Sequence, residues 1–263
     1  MAVAQWEAEM SAPVLAVRDL AKSFTGFQAV AGVSFTVAAG EMVALIGPNG
    51  AGKTTTFNMI NGQSPVDRGT VLLDGRDVTG LSARDLWREG VGRTFQITAT
   101  FASMTVAENV AIALIARERA LAGLDNAERQ HHAEALARLG EVGMQDAADQ
   151  ICGTLAYGDL KRVELAMAIA SRPRLLLMDE PTAGMAPRER GQLMALVSRI
   201  ARDRGTAVLF TEHDMDVVFG HAGRILVMNR GQIVVEGTPD AIRNNAKVRE
   251  VYLGTGGRGI GKR

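Results

Sequence analysis

The segment Gly47-Pro48-Asn49-Gly50-Ala51-Gly52-Lys53-Thr54 constrains the fold of this chain more than any other. It fits G-x-x-x-x-G-K-[ST] at every fixed position and lies between the apolar run Met42–Ile46 and a helix read from near Gly52. The glycines let the backbone curl so that successive N–H groups point inward as an anion nest, and the helix start adds a favourable dipole. Lys53 supplies a compact cation for the β- and γ-phosphates of a nucleoside triphosphate, Thr54 offers its hydroxyl to Mg²⁺, and Thr55 extends the cradle. The loop alone does not separate an ATPase from a GTPase or a small-molecule kinase.

A second feature narrows the chemistry. Leu175-Leu176-Leu177-Met178 reads as a buried strand that delivers Asp179 and Glu180 at its C-terminal end, where α/β sheets place ligands. Adjacent residues on a strand point to opposite faces, so the two carboxylates cannot share one task unless the backbone turns between them. Asp179 suits the hold on Mg²⁺, and Glu180 suits orientation or deprotonation of an attacking water.

Around these motifs the chain alternates strands and helices, which implies an α/β core. Residues 1–13 read as a loose lead-in, and residues 14–253 as one domain. Val14–Leu20 and Val33–Val37 read as an antiparallel strand group. Val71–Leu73, Val91–Phe95, Ala207–Phe210, Ile225–Met228 and Ile233–Val235 read as further strands. A helix from Arg188 to Asp203 carries Leu193, Leu196, Val197, Ile200 and Ala201 at the spacing of a sheet-packing stripe. Residues from Thr105 to Gly140 are rich in Ala, Leu and Glu, the mark of a helical subdomain inserted at about 97–158. The last ten residues hold five glycines and three cations and read as a flexible tail. His131 and His132 read as surface residues of the insert.

Composition excludes other classes. Twenty-nine Lys and Arg balance twenty-nine Asp and Glu, against the basic excess of a nucleic-acid binder. The single cysteine, Cys152, rules out an internal disulfide framework and suits a reducing cytoplasm, where it reads as a buried thiol. No apolar run approaches the 18 or so residues of a membrane span, so a chain working at a membrane is expected to dock there.

Leu155-Ala156-Tyr157-Gly158-Asp159, twenty residues before Asp179, resembles the signature motif of ATP-binding cassette proteins. Gln96 in Arg93-Thr94-Phe95-Gln96, Pro181-Thr182-Ala183-Gly184-Met185, His213 in Thr211-Glu212-His213-Asp214, and Phe24 follow the same family in order. Taken singly, Phe24 reads as core, His213 as a solvated residue or cap, and Gln96 as a loop amide. Together they imply a P-loop NTPase core with an antiparallel β subdomain and an inserted α-helical subdomain. Phe24 would stack on the adenine of ATP, Gln96 would bind Mg²⁺ and sense the γ-phosphate, and Glu180 would be the base. His213 would hold the γ-phosphate and water. The resemblance further implies a dimer in which the Tyr157, Gly158 and Asp159 corner of one subunit covers ATP on the glycine loop of the other, with the stretch from Ile97 to Val106 docking on a membrane subunit.

Two positions depart from the family pattern. Ala156 stands where a serine is usual, and Ala186 where an Asp or Asn is usual. They lead to the expectation of two unequal sites in a heterodimer. Gly90-Val91-Gly92-Arg93-Thr94-Phe95-Gln96, Phe101, Thr105–Val110 and Val251-Tyr252-Leu253-Gly254 resemble the branched-chain amino acid importer branch. Such importers combine a second cassette ATPase, two permease subunits and an external solute-binding protein. That implies a peripheral place on the cytoplasmic face of the inner membrane and no nucleic-acid partner. Urea and amide importers, a lipopolysaccharide exporter, soluble cassette ATPases acting on DNA or ribosomes, and P-loop kinases are the alternatives.

Overall fold

The computed structural model describes residues 12–94, 100–119 and 127–253. Its centre is a six-stranded sheet in the order β10-β9-β3-β8-β7-β6. The strands are β3 (Met42–Ile46), β6 (Val91–Thr94), β7 (Leu175–Asp179), β8 (Ala207–Thr211), β9 (Arg224–Asn229) and β10 (Gln232–Gly237). All neighbours run parallel except the β9–β10 hairpin. A second sheet, ordered β2-β1-β4-β5, is antiparallel and built from β1 (Leu15–Phe24), β2 (Phe27–Val37), β4 (Arg68–Leu73) and β5 (Arg76–Asp77).

The two-residue period of the central strands sorts their side chains into two cores. Val43, Leu45, Leu175, Leu177, Ala207 and Leu209 face the antiparallel sheet and the helix α1 (Lys53–Ile60). Ala44, Ile46, Leu176, Met178, Val208 and Phe210 face the helices on the other side. Those include α5 (Tyr157–Ala170), α6 (Pro187–Arg204) and α7 (Met215–His221). The stripe read on α6 is the buried one, with Leu193, Val197, Ile200 and Ala201 in the core and Leu196 packed at its margin.

Between β6 and β7 the chain forms α3 (Val106–Arg119) and α4 (Ala127–Val142), which pack on each other and on α5. Helix α5 thus belongs to both units, touching β6 on the core side. One expectation fails here. His132 is exposed, but His131 is 1% exposed, because it shares the inner face of α4 with Ala135, Leu139 and Val142 at helical spacing. Cys152 is fully buried and accepts a 3.3 Å hydrogen bond from Asn109 Nδ2, and burial pushes its thiol pKa up.

A helix near Pro239 is expected from the sequence and is found as α8 (Pro239–Arg243), whereas α2 (Ala83–Arg88), α7 and the terminal helix α9 (Ala246–Leu253) were not read from it. Each of α2 and α7 is opened by a side-chain cap, Ser82 accepting from the Asp85 N–H and Asp214 from those of Asp216 and Val217. At six or seven residues they are too short for a clear period.

Candidate active site

The loop at residues 47–54 leaves β3 and enters α1, and close backbone approach accounts for two of its glycines. A Cβ on Gly47 would lie 2.2 Å from the Met228 carbonyl oxygen, and one on Gly52 would lie 2.4 Å from that of Ala29. Gly50 is different: φ is +78° and open space surrounds it, so the backbone presents itself to an incoming group there. That bare, inward-turned backbone fits a polyphosphate. Lys53 is 8% exposed and folds back over the loop, donating to the carbonyls of Gly47 at 2.7 Å and Pro48 at 3.2 Å. Burial lowers its pKa, and the fields of Glu180 and Asp179 oppose the shift.

Those two carboxylates therefore stand close to the loop cation, and they are separated as the sequence requires. Asp179 ends β7 and accepts 2.6 Å from the Thr211 hydroxyl. Glu180 turns out of the strand with φ +48°, a left-handed conformation rare for a residue with a side chain. Its N–H bonds to Thr211 on β8, to the hydroxyl oxygen at 3.1 Å and the carbonyl at 3.2 Å. Its carboxylate meets His213 Nε2 at 2.8 Å. A carboxylate and an imidazole in contact beside a phosphate cradle can hold a water and accept its proton. Thr54 is exposed at the start of α1. Among the described residues no cluster of three or more His, Cys, Asp or Glu could hold a metal alone. Mg²⁺ needs no such cluster, since it is commonly held by one or two carboxylates together with substrate phosphates. A hydroxyl and a nearby carboxylate beside a phosphate loop fit that donor set.

Phe24 ends β1 in register with Phe27 across the hairpin, and both rings are exposed. Lys22 Nζ lies 5.4 Å from the Phe24 ring centre, an electrostatically favourable contact. Gln96 falls outside the described residues. Tyr157, Gly158 and Asp159 open α5, whose N-cap Ala156 makes no side-chain bond to the helix start. Within one chain α5 rests chiefly on α3, α4, α6 and β6, and α1 chiefly on β2 and β7. The corner meets its own following loop. A Cβ on Gly184 would lie 3.3 Å from the Tyr157 ring, and one on Gly158 would lie 2.9 Å from a Glu189 carboxylate oxygen.

Several residues at the site stand inside motifs quoted from the sequence but receive no role from it. Thr211 and Glu212 act through partners some thirty positions away. Arg93 on β6 feels the field of Asp179 while burial lowers its pKa. Tyr252 on α9 reaches the Gly47 backbone; burial pushes its phenol up to about 12, and the hydrogen bond with Gly47 pulls the other way.

Comparison with known proteins agrees with this geometry. Residues 30–183 match the family model described as ABC transporter, and residues 232–258 match that of the branched-chain amino acid ATP-binding cassette transporter. The chain is 40% identical over 256 residues to the high-affinity branched-chain amino acid transport ATP-binding protein BraF of Pseudomonas aeruginosa, covering 93% of this chain and 99% of that one. It is 34% identical over 241 residues to the lipopolysaccharide export system ATP-binding protein LptB of Haemophilus influenzae, covering 92% and 97%. The solved ADP conformation of an ATP-binding cassette of an ABC transporter superposes with a TM-score of 0.83 at 30% identity, covering 93% of this chain and all of that one. With its phosphate loop, paired carboxylates and branch-specific C-terminal segment, the chain belongs to the ABC transporter family as one of its ATP-binding cassettes.

Proposed function

We propose that this chain hydrolyses ATP to drive an importer of branched-chain or related amino acids. The observation that carries the chemistry is the 2.8 Å contact between Glu180 and His213 beside the buried Lys53. In this reading Gly47, Pro48, Asn49, Gly50, Ala51, Gly52, Lys53, Thr54 and Thr55 bind the phosphates, and Phe24 stacks on the base. Thr54, Asp179 and Gln96 hold Mg²⁺, which neutralises charge on the phosphates when bound. Glu180 takes the proton of the attacking water, and His213 keeps water and γ-phosphate aligned.

Residues 14–253 act as one cassette, with the helical insert of residues 97–158 as its transmitting part. A second cassette, identical in isolation or different in the transporter, supplies its own signature corner over this chain's nucleotide. The different main packing partners of α5 and α1 within one chain support that division. The transporter has two permease subunits, one on each cassette, and the stretch of this chain from Ile97 to Val106 docks on one of them; a cavity of about 230 Å³ lined by Trp87, Arg93, Ala113, Glu164 and Met167 is open on the same chain. An external solute-binding protein completes the system, which places the chain on the cytoplasmic face of the inner membrane. No helix among the described residues is long and apolar enough to cross a membrane. The cargo assignment is supported by the segment at 232–258 and by the higher identity to BraF than to the lipopolysaccharide protein.

The chemistry is tested with Glu180→Gln. Turnover is expected to fall roughly 10²–10⁴-fold while ATP binding persists, and unchanged turnover would remove Glu180 from its role. The cargo is tested by deleting the gene and following uptake of labelled leucine, isoleucine and valine. Normal uptake of all three, with loss of urea uptake or of lipopolysaccharide export, would reassign the transporter.

A further inference from the structure

Glu212 is 5% exposed and sits between Thr211, which serves Asp179, and His213, which meets Glu180. Neither neighbour's task requires a third carboxylate at this point. Its bonds give it a different one. Oε1 accepts from the Thr182 N–H at 2.9 Å and from the Thr182 hydroxyl at 2.6 Å, while Oε2 accepts from the His213 N–H at 3.1 Å. Among the described ion pairs none includes Glu212, so these donors are what compensate its burial.

Thr182 is 1% exposed and belongs to the loop that follows Glu180 and carries Gly184, the residue lying against Tyr157. One planar carboxylate thus grips that loop with one oxygen and the backbone of His213 with the other. Displacing the loop must either break a 2.6 Å bond in a dry setting or carry His213 with it. We infer that Glu212 is a positioning residue that couples the loop at 181–186 to the His213–Glu180 pair. Contact made at the Tyr157–Gly184 corner therefore has a side-chain route to His213, besides the backbone by which the loop leaves Glu180 and the 3.1 Å bond from the Ala183 N–H to the Glu180 carbonyl. The inference rests on the reading of Glu180 and His213 given above.

The test uses the full-length chain assembled with its partner cassette. Glu212→Gln keeps the volume and an acceptor for Thr182 but turns an NH₂ toward the His213 N–H. Thr182→Val removes one donor and alters no charge. Each variant is expected to lower kcat roughly ten- to hundredfold, the scale for misplaced catalytic groups, with KM for ATP within about twofold of wild type. The double variant is expected to be no slower than the slower single one, because both cuts sever one connection. A Glu212→Gln protein with wild-type kcat, or losses that multiply in the double variant, would overturn the inference. Should Glu212→Gln fail to fold, Thr182→Val decides alone by the same kcat criterion. Glu180→Gln is measured alongside: if it leaves turnover intact, the active-site reading itself has failed, and if it abolishes turnover while Glu212→Gln does not, only the coupling falls.

Discussion

Tyr157 and Tyr252 are the only phenols in the chain, and they sit in opposite surroundings. Tyr157 is exposed, while Tyr252 is half-buried against the core and bonded to the Gly47 backbone. For an acid whose native pKa is raised, the neutral form is the favoured one in the fold. Below pH 10 both folded and unfolded chains keep the Tyr252 proton; between 10 and about 12 the unfolded chain loses it first, so stability falls as pH rises. The loss approaches about 2 kcal/mol at the top of that window. Urea titrations of wild type and Tyr252→Phe are expected to diverge there, the variant lacking this part of the slope; parallel curves would dismiss the burial. At this scale the sequence is legible where a residue acts locally. Lys53 and Thr54 are read from a run of eight residues, but Glu212 binds a donor thirty positions away and Tyr252 a glycine further still, so no spacing rule reaches them. The burial of His131 was missed because a histidine on a helix is equally at home on either face.

The phosphate loop behaves as an element whose glycines do different work. Gly50 faces open space, so Gly50→Ala meets only the left-handed backbone penalty of about 1–2 kcal/mol. Gly47→Ala drives a methyl group into the Met228 carbonyl and is expected to cost more than about 3 kcal/mol. Equal melting temperatures for the two variants would show that β9 yields to the added methyl. Element by element, the long apolar strands and α6 were legible because burial on fixed faces imposes a period. The turn-like helices α2 and α7 were not, because caps and tertiary contacts rather than periodicity define them.

Over the whole molecule, the two cores separate labour. The antiparallel sheet and α1 support the nucleotide loop, and the helices on the other face bring α5 and the insert to bear. Because Ala156 lends no hydroxyl at the start of α5, the proposed heterodimer is expected to have two unequal sites. Glu180→Gln in this chain is expected to remove most turnover, and the matching change in the partner cassette much less. Equal losses in steady-state ATPase assays would defeat the asymmetry. The left-handed backbone at Glu180 bears on how such a gene ages. Glycine adopts that conformation with no steric penalty, so the backbone alone would welcome Glu180→Gly. A lineage released from the need to hydrolyse ATP would therefore meet no backbone barrier to glycine at this codon, only the loss of the 2.8 Å contact with His213 and the entropic cost of glycine, and persistence of the acid across generations would reflect mainly selection for turnover.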